Sequence, residues 1–253
     1  MKGWSIFSHS VSMVLRNFQA AIQIFLVPTL LVFAVVFAVV YAVFQSGIIP
    51  VGQAVNMPLG SVSTGFLLQM AAVWVVVMLI SIWGVVAWHR YVLLEEMPEG
   101  WIPRLHTSNI LIYFLRAVQL AIVSVISLIA VAFIGSAFAE AAGYFGVAIL
   151  IVLFIAVALF LSRLLVILPA AAVGRAISLS DALEATKGAV PALFLLGVCV
   201  FLAQLVVELA LSAVAGIPVF SLVLQLGFAV ILSLLNVSIM TTLYGHYVEG
   251  RPV

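Results

Sequence analysis

The sequence predicts an all-α polytopic integral membrane protein, with six transmembrane helices and two interfacial amphipathic helices. Of its 253 residues, 67% are hydrophobic and only 7% are charged, and the mean hydropathy is +1.42. A soluble domain needs charged groups at about a quarter of its positions to cover its surface. Six apolar stretches and a one-sided distribution of basic residues complete the prediction, and we expect a single membrane domain over residues 1–253.

The first predicted element is an amphipathic helix ahead of the first span. Its apolar residues recur at intervals of three and four, the spacing of one helix face; they are Trp4, Phe7, Val11, Val14, Phe18, Ile22 and Phe25. Serines, Arg16, Asn17 and Gln19 occupy the other side. This pattern predicts a helix that lies in the membrane interface.

Six apolar stretches follow, each close to the roughly 20 residues that cross a hydrocarbon core about 30 Å thick. They are Ile24–Phe44, Phe66–Trp88, Leu111–Ile134, Tyr144–Leu161, Val190–Ser212 and Val219–Thr241. An even number of spans places both termini on the same side of the membrane.

The basic residues then fall on the side of the termini or within a turn of it. The loops on the opposite side, 45–65, 135–143 and 213–218, contain no lysine or arginine. Because basic residues are retained on the cytoplasmic side, both termini are predicted to be cytoplasmic.

A second interfacial helix is predicted ahead of the fifth span. Ser178 followed three residues later by Asp181 is typical of a helix start, and Leu179, Ala182 and Leu183 form the softer face.

The two ends of the chain resemble each other. Arg90-Tyr91-Val92 leads to Pro98, and His246-Tyr247-Val248 leads to Pro252. This similarity indicates parallel repeat units at 4–98 and 177–252, which flank a central hairpin at 104–170. The segment from Arg163 to Pro169, where the central hairpin ends, is a weaker copy of the same pattern. The alternative is that any helix leaving a membrane ends in a basic residue, an aromatic residue and a proline. Under either interpretation Arg90, Tyr91, His246 and Tyr247 are expected to anchor the chain at the lipid headgroups.

Ionisable groups inside the spans are the first places to look for function, because they are costly to bury. Arg163 ends the fourth span and is expected to extend to the headgroups, the alternative being a buried ion pair or a substrate contact. Glu208 lies about one turn from the far end of the fifth span, where it reaches water or stays protonated, or else serves as a proton or cation site.

Other kinds of site lack their sequence patterns. A net charge of +1 without clustered basic residues argues against nucleic-acid binding. The single cysteine is Cys199, and His9, His89, His106 and His246 show no spacing typical of metal ligands. We therefore expect no metal, no cofactor and no catalytic site.

The stretch "RLLVILPAAAVGRAISLSDALEATKGAVPALFLLG", residues 163–197, resembles a bacterial inner-membrane superfamily. That superfamily includes the membrane domain of glycerophosphodiester phosphodiesterases and its six-span relatives. The resemblance implies a bacterial cytoplasmic membrane protein that acts as a membrane accessory module. No soluble phosphodiesterase barrel follows in this sequence, so the resemblance does not imply hydrolase activity.

The expected function is therefore that of a non-catalytic accessory or assembly partner of a membrane complex, or of a lipid-interacting scaffold. The expected partners are membrane lipids and other membrane protein subunits. The alternative is a transporter or channel for a small neutral or apolar solute, which requires a polar cavity formed by Gln69, Ser81, Ser124, Ser127, Gln204 and Asn236. An enzyme acting on lipid would instead bring Arg163, Glu208, Arg90 and His246 into one pocket.

Overall fold

A computed structural model describes residues 2–45 and 63–253, and 84% of the chain is helical. Within these residues there are nine helices: α1 Lys2–Arg16, α2 Phe18–Gln45, α3 Thr64–Leu94, α4 Thr107–Ala142, α5 Tyr144–Leu164, α6 Ile167–Ala172, α7 Leu179–Ala185, α8 Val190–Ala213 and α9 Pro218–Tyr247. The described residues contain no strand. The predicted loop 45–65 lies almost entirely outside the described residues.

Six helices are long and apolar enough to cross a membrane: α2, α3, α4, α5, α8 and α9. Each contains one of the six predicted spans. The fold class is therefore confirmed, and the chain is an all-α polytopic membrane protein. Several helices exceed the length that a bilayer requires, since α3 has 31 residues and α4 has 36.

The N-terminal helix is present, but it ends earlier than predicted. Asn17 separates α1 from α2, and its side-chain amide donates a hydrogen bond to the Met13 carbonyl at 2.8 Å. Phe18, Ile22 and Phe25 therefore belong to the first span. This ending is typical of asparagine, whose side chain competes for backbone groups within a helix.

One face of α1 packs on protein and does not simply rest on lipid. The buried residues of α1 are Gly3, Ile6, Ser10 and Val14, whereas Trp4 is 58% exposed. This face contacts α8 and α9. A Cβ at Gly3 would approach the Ala192 carbonyl oxygen of α8 to 2.4 Å. Ser10 Oγ lies 3.0 Å from Thr242 Oγ1 of α9, so α1 joins the two helices.

The short helix α6 lies at the centre of the buried core. All six of its residues are buried, and it packs against α3, α4 and α9. The middle hairpin is predicted to exit from Arg163 to Pro169. The structure ends α5 at Leu164, close to the predicted span end at Leu161, and places Pro169 in the first turn of α6. Proline is tolerated there because a first-turn N–H has no partner within the helix.

The chain leaves α6 through a Schellman turn. Gly174 has a φ of +78° in the left-handed region. The N–H of Arg175 donates to the Ala170 carbonyl at 2.8 Å, and that of Gly174 donates to the Ala171 carbonyl at 3.1 Å. This pair of hydrogen bonds is a common way to satisfy the last carbonyls of a helix.

The helix α7 begins as predicted. Ser178 Oγ accepts the Asp181 N–H at 3.1 Å, and the Asp181 carboxylate accepts the Ser178 N–H at 3.0 Å. These hydrogen bonds hold the pKa of the Asp181 carboxyl below its usual range. The capping box therefore fixes where the second short amphipathic helix starts.

The ends of α3 and α9 make the same unusual turn. Glu95 (φ +56°) and Gly250 (φ +72°) are left-handed, and the N–H of the next residue bonds back six residues. Glu96 donates to Arg90 at 3.5 Å and Arg251 donates to Gly245 at 2.8 Å. Duplication of the two hairpins stays a prediction, since helix ends adopt few geometries.

Burial is concentrated at one end of the bundle, where both described termini lie. We call this the basic end, because it carries the loops rich in lysine and arginine. Residues 82–93 of α3 and 234–245 of α9 contain nearly all of the buried positions of those helices. The predicted spans Phe66–Trp88 and Val219–Thr241 end within these packed segments.

The opposite halves of the helices expose large apolar side chains. Phe37 of α2 and Trp74 of α3 are each 73% exposed, and Phe133 of α4 is 78% exposed. Lipid tails are as apolar as these side chains, so no hydrophobic force drives them to pack inside the bundle.

Substitution of Gly3 by alanine should loosen α1 from α8. The new methyl group would require a backbone shift, which costs about 1–3 kcal/mol. Thermal unfolding of the detergent-solubilised protein, followed by circular dichroism, measures the loss. Gly197→Ala in α8 is the matched control, because a Cβ there meets nothing within 4 Å. Equal unfolding temperatures for the two variants would contradict the docking of α1.

Candidate functional site

Polar side chains of the basic end surround the C-terminal end of α6. Asn109 Nδ2, at the start of α4, donates to the Ala172 carbonyl at 2.9 Å and lies 3.4 Å from the Ala171 carbonyl. Arg90 Nη1, near the end of α3, donates to the Ala172 carbonyl at 3.4 Å. The positive charge of the guanidinium is also stabilised by the negative C-terminal end of the helix dipole.

The first charged cluster joins the end of α3 to the following loop. Glu96 accepts from Arg90 Nε at 2.8 Å and pairs with His106 Nε2 at 2.7 Å. Burial raises the pKa of the Glu96 carboxyl. The hydrogen bonds from His106 and Arg90 lower this pKa by more than burial raises it, so the net pKa lies below its usual range. Glu96 therefore stays ionised and holds the loop against α3.

The second charged cluster lies between the C-terminal tail and the linker after α6. Glu249 lies between Arg175 at 3.5 Å and Arg251 at 2.7 Å. Arg251 Nη2 also donates to the Leu93 carbonyl at 2.8 Å, which ties the tail to the end of α3.

A cleft of about 500 Å³ opens at this second cluster. Its lining consists of Arg175, Ile177, Tyr244, Val248, Glu249 and Arg251, and we call it the Arg175–Arg251 cleft. Sequence reasoning did not single out these residues as a group. The available signal was weak, because Arg175 and Arg251 are far apart in the chain and each resembles an ordinary flanking basic residue.

Arg163 holds α7 in place. Its Nε donates to Thr186 Oγ1 at 3.2 Å, and its Nη2 donates to the Leu183 carbonyl. Extension of this guanidinium to the headgroups stays a prediction, and the two hydrogen bonds to α7 are contacts that the sequence did not reveal. The charge lies at the C-terminal end of α7, where a cation is favourable.

The predicted headgroup anchors differ in their surroundings. Arg90 is bound to Glu96 and to α6, and Tyr91 donates its hydroxyl to Asn17 Oδ1 at 2.7 Å. This first pair therefore bonds to protein, and its contact with headgroups stays a prediction. His246 Nδ1 lies 2.9 Å from the Arg251 carbonyl oxygen, and the Tyr247 ring packs edge-on against His246 at 4.9 Å. The second pair is half-buried.

Glu208 lies apart from the other candidates. It is exposed on the half of α8 that is distant from the basic end, and so is Gln204 one turn before it. The groups that an intramembrane lipid enzyme would bring together, Arg163, Glu208, Arg90 and His246, therefore do not share a pocket in the described part of the chain.

His89, one of the four histidines without metal-ligand spacing, is fully buried near the site. His89 Nδ1 lies 2.8 Å from Thr241 Oγ1, whose hydroxyl donates to the Val237 carbonyl. The neighbouring Trp88 Nε1 donates to Ser238 Oγ at 3.1 Å. These two bonds join α3 to α9.

The polar residues proposed for a solute path do not converge. Gln69, Ser81, Gln204 and Asn236 are exposed, and Ser127 Oγ donates to the Val123 carbonyl of its own helix. Among the described residues no three histidine, cysteine, aspartate or glutamate side chains form a metal-binding group.

Comparisons of the chain with protein-family models, with curated proteins and with solved structures found no match.

Replacing Glu96 by glutamine should destabilise the protein by about 1–2 kcal/mol at pH 7, because Arg90 and His106 lose their carboxylate partner. The pKa of Glu96 is lower in the folded chain than in the unfolded chain. Its stabilisation is therefore complete above the unfolded value of about 4.3, and it is lost as the pH falls through the lower folded value. Unfolding measured from pH 7 to pH 3 should show the difference between wild type and variant shrinking below about pH 4.

Glu99→Gln on the same loop is the control for this measurement. Glu99 pairs with Arg104 at the surface, where ion pairs contribute little. A destabilisation of equal size in both variants would show that Glu96 has no special role.

Arg163→Gln should release α7 from α5. The loss of hydrogen bonds from a charged donor makes backbone amides of residues 179–186 exchange about 10-fold faster. Hydrogen exchange read by mass spectrometry detects the change. Arg104→Gln is the control and should leave the exchange of this segment unchanged. Unchanged exchange in Arg163→Gln would show that Arg163 does not hold α7.

Proposed function

We propose that the chain is a non-catalytic accessory or assembly partner of a complex in the bacterial cytoplasmic membrane. The observation that carries this proposal is an exposed polar face on α8. We call it the α8 polar face and define it by Phe201, Gln204, Leu205 and Glu208, which recur at helical spacing and are all exposed. A second membrane protein is the partner that such a face fits.

The depth of the α8 polar face supports this interpretation. Glu208 lies five residues before the end of α8 at Ala213, about 7 Å along the helix axis, and Gln204 lies about 13 Å from that end. Ionisable groups inside membranes normally face a bundle interior, a water-filled cavity or a partner group. A partner helix with hydrogen-bond donors satisfies both side chains, whereas a lipid tail satisfies neither.

The surfaces of the basic end are suited to lipid contact. The loop between α3 and α4 exposes Met97, Trp101 and Ile102, and it is held by Trp83 Nε1, which donates to the Pro103 carbonyl at 3.2 Å. Tryptophan and apolar loop residues are typical of the headgroup region. We propose that the basic end faces the cytoplasm, as the distribution of lysine and arginine predicts.

The proposal predicts that Gln204→Leu combined with Glu208→Leu weakens association with the partner. Interhelical hydrogen bonds contribute about 0.6–1.7 kcal/mol each, so their joint loss should lower occupancy about 10-fold or more. Native mass spectrometry of the protein released with its surrounding membrane measures the fraction that retains a stoichiometric partner.

Gln69→Leu is the control, since Gln69 is equally exposed but lies on α3. A wild-type protein that never carries a stoichiometric partner would overturn the accessory function. Loss of the partner to the same degree in Gln69→Leu would overturn the assignment of the α8 polar face.

A further inference from the structure

We propose that the Arg175–Arg251 cleft binds a phosphate group, either of an anionic lipid headgroup or of a soluble phosphate compound. This site is separate from the α8 polar face and belongs to the opposite end of the bundle. The proposal does not depend on the presence of a protein partner.

The cleft contains guanidinium N–H groups that contacts within the protein do not use, so they are available to a ligand. The Arg175 side chain is 67% exposed, and its contact with Glu249 is long, at 3.5 Å. Arg251 is 45% exposed, and it uses Nε toward Glu249 and Nη2 toward the Leu93 carbonyl. Each guanidinium has five N–H donors in a fork that matches phosphate oxygens.

The charges in the cleft do not cancel. Arg175 and Arg251 contribute two positive charges, and Glu249 contributes one negative charge. The Glu249 side chain is only 13% exposed, whereas the side chains of Arg175 and Arg251 are 67% and 45% exposed. An anion that enters from the open side meets both arginines before it meets the carboxylate.

The Tyr244 hydroxyl adds a third polar group. Tyr244 lines the cleft together with Arg175 and Arg251, and it is buried at 1% exposure. A tyrosine hydroxyl donates a hydrogen bond to a phosphate oxygen as readily as to water. The cleft therefore combines two cations and a fixed hydroxyl.

The position of the cleft suits a lipid phosphate as well as a soluble one. Tyr244 and Val248 lie at the end of α9, and Arg175 and Ile177 lie in the linker between α6 and α7. The last turn of α9 lies beyond the part of the helix that fills the hydrocarbon, which is the depth of headgroups. Ile177 and Val248 supply apolar contacts beside the arginines.

The test uses the full chain in a neutral detergent, titrated separately with short-chain phosphatidylglycerol, short-chain phosphatidylcholine and inorganic phosphate. Native mass spectrometry measures the occupancy of each. Arg175→Gln should weaken phosphatidylglycerol binding about 10-fold through loss of charge-assisted bonds. Glu249→Gln should strengthen it, because the opposing carboxylate is removed.

Arg104→Gln is the matched control: it removes the same charge from an exposed arginine of the basic end that does not line the Arg175–Arg251 cleft. Its binding of phosphatidylglycerol should remain at the wild-type level. Equal losses in Arg175→Gln and Arg104→Gln, or no loss in either, would overturn the site. Unchanged unfolding temperatures in Arg175→Gln would show that the lost binding is not a loss of fold.

The three ligands distinguish the source of the phosphate. Binding of phosphatidylglycerol that tens of millimolar inorganic phosphate does not displace assigns the cleft to a lipid headgroup. Displacement at much lower phosphate concentration, with the same dependence on Arg175, assigns it to a soluble phosphate. Equal binding of phosphatidylglycerol and phosphatidylcholine in all variants, without any bound inorganic phosphate, would refute the proposal. Retention of a protein partner by Arg175→Gln would separate this result from the test of the α8 polar face.

Discussion

The hydrogen bonds that Asn109 and Arg90 donate to the last carbonyls of α6 are the contacts on which the packed end of this protein depends. The terminal carbonyls of a helix that is buried on all sides cannot form hydrogen bonds with water. A buried carbonyl without a hydrogen-bond partner costs free energy. The two donors come from the end of α3 and the start of α4. Burying α6 therefore requires these helix ends to meet around it, and α9 completes the enclosure through the Trp88 and His89 bonds.

The bundle divides along its length into two physical regimes. At the basic end, water and headgroups favour burial of apolar surface, and a dense core forms around α6. Farther along, lipid solvates apolar side chains as well as protein does, so the helices need not close on one another. Only polar groups can supply specific contacts in that region, which gives Gln204 and Glu208 their importance.

Most of the charged residues near the core are committed to the fold. Arg163 holds α7, Glu96 joins Arg90 to His106, and Tyr91 is bonded to Asn17. Two places that retain open bonding capacity lie at opposite ends of the bundle, on the α8 polar face and in the Arg175–Arg251 cleft. This distribution favours a protein that acts through association with other molecules at its surface.

The sequence by itself determined the number of spans, the one-sided placement of basic residues and the start of α7, because hydropathy over about 20 residues and a local capping box are properties of short segments. It did not reveal that residues 167–172 form a buried helix, that α1 docks on α8 and α9, or that Arg175 and Arg251 share a cleft. Only the tertiary structure decided these features, since each depends on groups distant in the chain. In so apolar a chain, hydrophobic pattern does not distinguish a lipid-facing side chain from a buried one, and hydrogen-bond partners across the bundle make that distinction.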